Sequence, residues 1–211
     1  MLVLGKIKKI ILVILLVLYV INTRGQNFDG GLFFGVTTSQ VGGDNLSGFN
    51  KAGIITGIYT VKKISEKFSI QIEMSYVEKG SNNPEMNDPK QLRYGQQDIS
   101  LSYFELPLIL QYNTNTIWEL ESGISWGYLI NGYYNDLNGP INNLDIPFST
   151  LDIGGILGIE YKYSKYISFN TRLRNSILPI GKEDWERINT YNSNNKGKYN
   201  SVISFTINYN I

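Results

Sequence analysis

Eight stretches of this chain alternate apolar and polar residues with a period of two, and the connections between them alternate short and long. The stretch at 67–80, KFSIQIEMSYVEKG, shows the first property. Phe68, Ile70, Ile72, Met74 and Tyr76 interleave with Ser69, Gln71, Glu73 and Ser75. Successive side chains of an extended chain point to opposite faces, so this is a strand with one apolar and one polar face. Comparable stretches lie at 30–39, 53–62, 98–112, 117–130, 150–163, 166–177 and 198–211. The connections at 64–67, 113–116 and 164–165 are tight turns, whereas 41–51, 78–97, 131–149 and 178–197 are long and polar. That rhythm arises when strands run up and down through a membrane, with loops on one side and hairpins on the other. A soluble barrel has no physical reason to segregate its loops so strictly. The expected architecture is all-β: an eight-stranded antiparallel up-and-down transmembrane β-barrel, with both termini on the short-turn side.

The faces sort in the same sense. The stretch at 117–130 sets Trp118, Leu120, Ile124, Trp126, Tyr128 and Ile130 against Glu119, Glu121, Gly123, Ser125 and Gly127. At 166–177, Ile167, Phe169 and Leu173 oppose Ser168, Asn170, Arg172 and Arg174. No charge falls on the apolar faces of the last four strands, as lipid requires, since a cation at mid-bilayer on a barrel exterior costs roughly 2–4 kcal/mol. The apolar faces are therefore assigned to lipid. The polar faces then share a lumen that holds Glu73, Glu119, Glu121, Asp152, Glu160, Lys162, Arg172 and Arg174. Eight strands leave room for little but side chains, so these charges are expected to fill the barrel by pairing; a polar channel or a carboxylate active site is the competing reading. Aromatic residues cluster at two levels. Tyr112, Trp118, Tyr161, Tyr163, Tyr166 and Tyr209 lie near the turn end, and Trp126 and Tyr128 lie toward the loops. Two such belts match the girdles at membrane interfaces.

Three places resist this pattern. Leu32, Phe33 and Phe34 are consecutive, as are Ile54 and Ile55. In 98–112 the alternation shifts near Tyr103 and Phe104 with Pro107 in mid-strand, and a bulge there would account for both. Gly154, Gly155 and Gly158 do not form a nucleotide loop, because no helix follows; they fit curvature or close packing.

Composition narrows the chemistry. The 211 residues contain neither Cys nor His, so a disulfide framework, a thiol nucleophile, an imidazole base and the commonest zinc ligand are all missing. The net charge of +1 offers no basic surface for nucleic acid. At the N-terminus Lys6, Lys8 and Lys9 precede an unbroken apolar run from Ile10 to Ile21, with Thr23 and Gly25 at −3 and −1 before Gln26. This is the anatomy of a secretory signal peptide over 1–25, and the run is short for a membrane-spanning helix. Residues 26–211 then form one barrel domain.

The segments FSIQIEMSYVEKGS, YFELPLILQY, GISWGYLING and DIGGILGIEYKY together resemble the PorT-like outer-membrane β-barrel proteins of Bacteroidota. The resemblance rests on a strand ending Tyr76-Val77-Glu78-Lys79-Gly80 and on the run from Tyr103 to Tyr112 with Glu105 and Pro107 in place. It implies an eight-stranded barrel in the outer membrane and, for the family's namesake, association with a secretion apparatus. One departure is the terminal Tyr209-Asn210-Ile211, where such barrels often end on an aromatic residue.

The resulting expectation is a non-enzymatic outer-membrane protein without cofactor or metal, scaffolding surface loops or joining an envelope or secretion assembly. Its expected partners are outer-membrane lipid, the barrel-assembly machinery and other envelope proteins. A small pore or ligand carrier, or a soluble periplasmic lipocalin-like barrel, is the alternative. Glu119 and Glu121 lie about 7 Å apart by strand rise, which suits an acid/base pair, but structural pairing is the simpler reading. In the last long loop Glu183, Asp184, Trp185 and Glu186 form an acidic cluster, read either as a solvated tip or as a cation or partner site.

Overall fold

The structure, a computed structural model, describes residues 28–43, 48–82, 98–136, 139–142, 146–181 and 197–211; the expected signal peptide and the acidic cluster at 183–186 lie outside them. The strands are β1 (Phe28–Gly42), β2 (Lys51–Lys63), β3 (Phe68–Asn82), β4 (Asp98–Asn113), β5 (Trp118–Asp136), β6 (Gly139–Asn142), β7 (Leu151–Lys162), β8 (Ile167–Ser176) and β9 (Tyr199–Asn210). Each pairs antiparallel with its neighbour, and β1 pairs with β9 from Gly31↔Asn210 to Gly42↔Tyr199. That pairing closes an eight-stranded barrel. β6 stands outside it, a short hairpin partner that extends β5 beyond the rim. Closure removes the sheet edges of the barrel itself, which lipid would leave unsatisfied.

The short turns are fixed by local side-chain acceptors. Ser65 Oγ takes the Phe68 N–H at 3.1 Å, Asn115 Oδ1 takes those of Ile117 and Trp118 at 2.8 Å, and Ser164 Oγ takes those of Tyr166 and Ile167. Ser and Asn offer the backbone this local partner more readily than other residues.

Alternation sends Phe68, Ile72, Met74, Trp118, Leu120, Ile124, Leu157 and Phe205 outward, all more than a third exposed, while Ser69, Gln71, Glu73 and Ser75 point inward and are buried. From Phe68 to Tyr76 the apolar band spans roughly 26 Å along the strand. A tilt of about 40° leaves roughly 20 Å of height, near the apolar belt of outer-membrane barrels. Trp118 packs tilted against Tyr161 at 4.8 Å and Tyr112 against Phe68 at 5.2 Å, Tyr166 stacks on Tyr209 at 6.5 Å, and Tyr163 meets Phe169 edge-on; these form the turn-end girdle. Trp126 and Tyr128 are exposed toward the loop end.

Several expectations change. The bulge lies opposite the expected position but on the other strand. Ser102 pairs with Asn131 and Tyr103 with Leu129, so Ile130 of β5 is the extra residue. β4 keeps its phase, whereas the inward phase of β5 switches from Leu129 to Tyr134. Pro107 is accommodated separately. The ladder to β3 runs Ile72↔Leu108 and then Ser75↔Glu105, leaving out Pro107, which has no N–H to give. The long connections are shorter than expected, because β3 continues to Asn82 and β5 to Asp136. Gly80 makes the β3 extension possible. Its φ is +149°, and a Cβ there would sit 1.9 Å from the Ile99 carbonyl oxygen.

The lumen differs most from expectation. Phe33 and Ile55 turn inward, which resolves the untidy runs in β1 and β2. Toward the loop end Val77, Ile99, Leu101 and Leu129 form an apolar core with Ile146, Phe148 and Ile180 from the connections. Those connections are tied down. Ser149 N–H donates to the Ile180 carbonyl at 2.6 Å, and Ile180 N–H donates to Lys198 at 2.8 Å. The expected all-polar lumen is therefore mixed toward the loop end, where this apolar core lies beside buried polar side chains such as Lys79, the register partner of Leu101.

Candidate functional site

Arg172 organises the polar half. It stands inward on β8 at the level where Glu73 of β3 and Glu121 of β5 converge. Its Nε and Nη2 donate to the two oxygens of Glu121 at 2.6 and 3.0 Å, and Nη1 donates to Glu73 at 2.7 Å. A guanidinium matches this fork-on-carboxylate geometry, which an ammonium does not. Gly158 of β7 makes the space: a Cβ there would lie 2.7 Å from Glu121 Oε2 and 2.8 Å from Arg172 Cγ. This is the close packing expected of that glycine. Amides complete the shell. Gln111 donates to Gln71 and to Glu121 at 2.9 and 3.2 Å, and Gln71 donates to Glu73.

The other expected lumen residues occupy three different settings. Glu119 and Lys162 pair at 2.9 Å near the turn-end mouth, so Glu119 and Glu121 are bound to different cations. Glu160 accepts from Asn170 and Asn208, both at 3.2 Å. Asp152 stands higher and belongs to a second ionic group. Lys79 bridges Glu105 at 2.5 Å and Asp152 at 2.9 Å, with its ammonium 4.8 Å from the Tyr103 ring. Ser176 and Asn200 also donate to Asp152, at 2.7 and 2.9 Å. Arg174 is 2% exposed, and its Nε, Nη1 and Nη2 donate no hydrogen bond among the described residues. It stands between the two ionic groups and belongs to neither.

Sequence reasoning missed Lys79 and Glu105. Lys79 keeps the inward phase of Gln71 and Glu73, and Glu105 that of Gln111. Extending the alternation beyond Tyr76 would have found the first; holding the phase of β4 would have found the second.

At the turn end the lumen opens into a cavity of about 480 Å³, lined among others by Tyr59, Gln71, Gln111, Glu119, Glu160 and Lys162. Tyr59 OH donates across it to Asn210. The barrel is thus open at the turn end and filled above by ionic and apolar layers in turn.

These features agree with the comparisons to known proteins. The outer membrane protein beta-barrel domain model matches residues 22–180. Ail, the attachment invasion locus protein of Yersinia pestis, aligns with a TM-score of 0.51 at 9% identity, over 87% of this chain and 98% of Ail. Neisserial surface protein A aligns at 0.47 and 11% identity, over 86% of this chain and 96% of that one. The N-terminal barrel domain of Pseudomonas aeruginosa OprF aligns at 0.41 and 11% identity, over 89% and 100%. No protein of curated function matches the sequence. With its closed eight-stranded barrel, charge-free outer belt and matching family model, the chain belongs to the outer-membrane β-barrel domain family and is an integral protein of the outer membrane.

Proposed function

We propose that this protein is a non-enzymatic, closed barrel that holds its long loops at the cell surface, as a scaffold or as a component of an envelope or secretion assembly. The observation that carries this reading is the double filling of the lumen, by the Arg172 and Lys79 ionic groups and by the apolar core around Leu101 and Phe148. A solute crossing the barrel would have to break buried ion pairs and then enter a dry layer, and each step is costly. Surface loops and lipid-facing strands are then the parts available to partners, with outer-membrane lipid, the barrel-assembly machinery and other envelope proteins as the contacts. Membership among the PorT-like barrels of Bacteroidota rests on the Tyr76–Gly80 and Tyr103–Tyr112 motifs. Residues 1–25 serve as the cleaved signal peptide, and Edman sequencing of the purified protein should begin at Gln26.

The decisive experiment is conductance in planar bilayers. Purified protein should insert without steady current, and reproducible single-channel steps would refute the closed-barrel reading. Co-purification from detergent-solubilised membranes then tests the assembly role. Recovery of the barrel alone under several mild detergents would favour the scaffold.

A further inference from the structure

The turn end of the barrel carries charge on its outer wall as well as in the lumen, and outside the balance is positive. Lys62 near the end of β2, Lys67 just before β3 and Lys165 in the β7–β8 turn are all exposed. Lys63 and Asp29 cancel as an exposed pair at 3.7 Å, and Glu66 is the one carboxylate within the three short turns. Among the described residues neither Lys67 nor Lys165 pairs with a carboxylate. The long connections at the other end hold more carboxylates than cations, so the positive excess of the barrel belongs to the turn end.

Each of the three lysines stands beside an aromatic ring of the outer wall. Lys62 lies over Phe28, its register partner, at 5.3 Å, and Lys165 lies over Tyr166 at 5.4 Å. Lys67 directly precedes Phe68, which packs against Tyr112. Such rings mark the boundary between hydrocarbon and headgroups, so the ammonium beside each one reaches headgroup depth while its stem follows the apolar wall. Short turns face the periplasm in this architecture, which assigns the lysines to the leaflet on that side. The acceptors at that depth are lipid phosphates, and an ammonium meets a phosphate as a compact point charge with three donors. A zwitterionic headgroup brings its own cation and cancels part of the attraction; an anionic headgroup does not.

We propose that the outer wall at the turn end is a docking surface for anionic phospholipid of the periplasm-facing leaflet. Lys62, Lys67 and Lys165 hold the headgroup phosphates, and Phe28, Phe68 and Tyr166 fix their depth. The surface is one-sided. Its lysines lie on the β2–β3 and β7–β8 hairpins, either side of β1 and β9, whereas the β4–β5 turn from Asn113 to Thr116 carries no charge. This inference deepens the lipid contact proposed above and rests on it. A protein that restricts no lipid at all defeats both, whereas one that restricts lipid without preference defeats only this inference.

The test is electron paramagnetic resonance on the full protein reconstituted in phosphatidylcholine bilayers with trace spin-labelled lipid. The fraction of motionally restricted label is compared between phosphatidylglycerol and phosphatidylcholine. Phosphatidylglycerol should associate about threefold or more tightly at low ionic strength. The preference should shrink in about 0.5 M NaCl, where charges are screened within a few ångströms. Joint Lys62→Gln, Lys67→Gln and Lys165→Gln substitution should abolish it, and the same three positions changed to Arg should keep it. Heat-modifiable gel migration first confirms that each variant has folded; if the triple Gln variant has not, Lys67→Gln and Lys165→Gln singly should each lower the preference. Equal association of the two lipids with the native protein, a preference indifferent to salt, or one that survives in the folded Gln variants would each overturn the proposal.

Discussion

The lower and upper halves of the lumen fill the same barrel with opposite materials. Around Arg172 the space is taken by carboxylates, amides and one guanidinium, tied by bonds of 2.6 to 3.2 Å. Around Leu101 it is taken mainly by buried apolar side chains that need no partner, with the Lys79 ion pairs set among them. The difference is one of tolerance. An ionic layer is stable only when complete, because one missing partner leaves a buried charge. An apolar layer degrades in proportion to the volume removed.

The largest expected effect tests the ionic half. Arg172→Met should destabilise the barrel by about 3–5 kcal/mol, since Glu73 and Glu121 lose their shared cation. Urea titration in lipid vesicles would measure it, and adding Glu73→Gln and Glu121→Gln should restore much of the loss. If the single and triple variants were equally unstable, completeness would not be what the layer needs. Leu101→Ala tests the other half and should cost about 2–5 kcal/mol, depending on how far the site collapses. Here no second polar change should compensate. Ile72→Arg sets both halves against the lipid face. It should cost about 2–4 kcal/mol and reduce the heat-modifiable fraction after assembly. Normal insertion would mean that the faces are reversed.

The smallest effect is the most discriminating. Arg174 lies two residues from Arg172 on the same face of β8 but has none of its bonds. Arg174→Met should shift the urea midpoint little, within about 1 kcal/mol, or raise it, since replacing an unbonded buried charge removes a desolvation cost. A loss as large as that of Arg172→Met would show that Arg174 is bonded in the membrane-embedded protein. Two arginines of equal burial would then differ only in name.

Much of the barrel was legible in the sequence. The exterior could be read because lipid is a uniform solvent with one rule, and Ile70, Ile72 and Met74 or Phe205, Ile207 and Tyr209 obey it position by position. The turns could be read because Ser65, Asn115 and Ser164 act on backbone only two or three residues away. The interior was legible only by phase. Glu73, Glu119, Glu121, Asp152, Glu160, Lys162, Arg172 and Arg174 all point inward or line the mouth, but their pairing is set by strands far apart in sequence. Glu73 reaches Arg172 across 99 residues, and Lys79 reaches Asp152 across 73.

What the sequence determined by itself was the strand count, the direction of each face and the side on which the long loops lie. Period-two alternation and turn chemistry are local, and the membrane selects for them without reference to the rest of the fold. What only the tertiary structure decided was the content of the lumen. Closure between β1 and β9 and the bulge at Ile130 fix the register, and register chooses which inward side chains share a level. It gave Arg172 two carboxylates, left Arg174 without a hydrogen bond among the described residues, turned Tyr134 and Phe33 inward, and gave Glu160 amide donors at the edge of the turn-end cavity. Each of those outcomes depends on distances across the barrel, to which a linear pattern has no access.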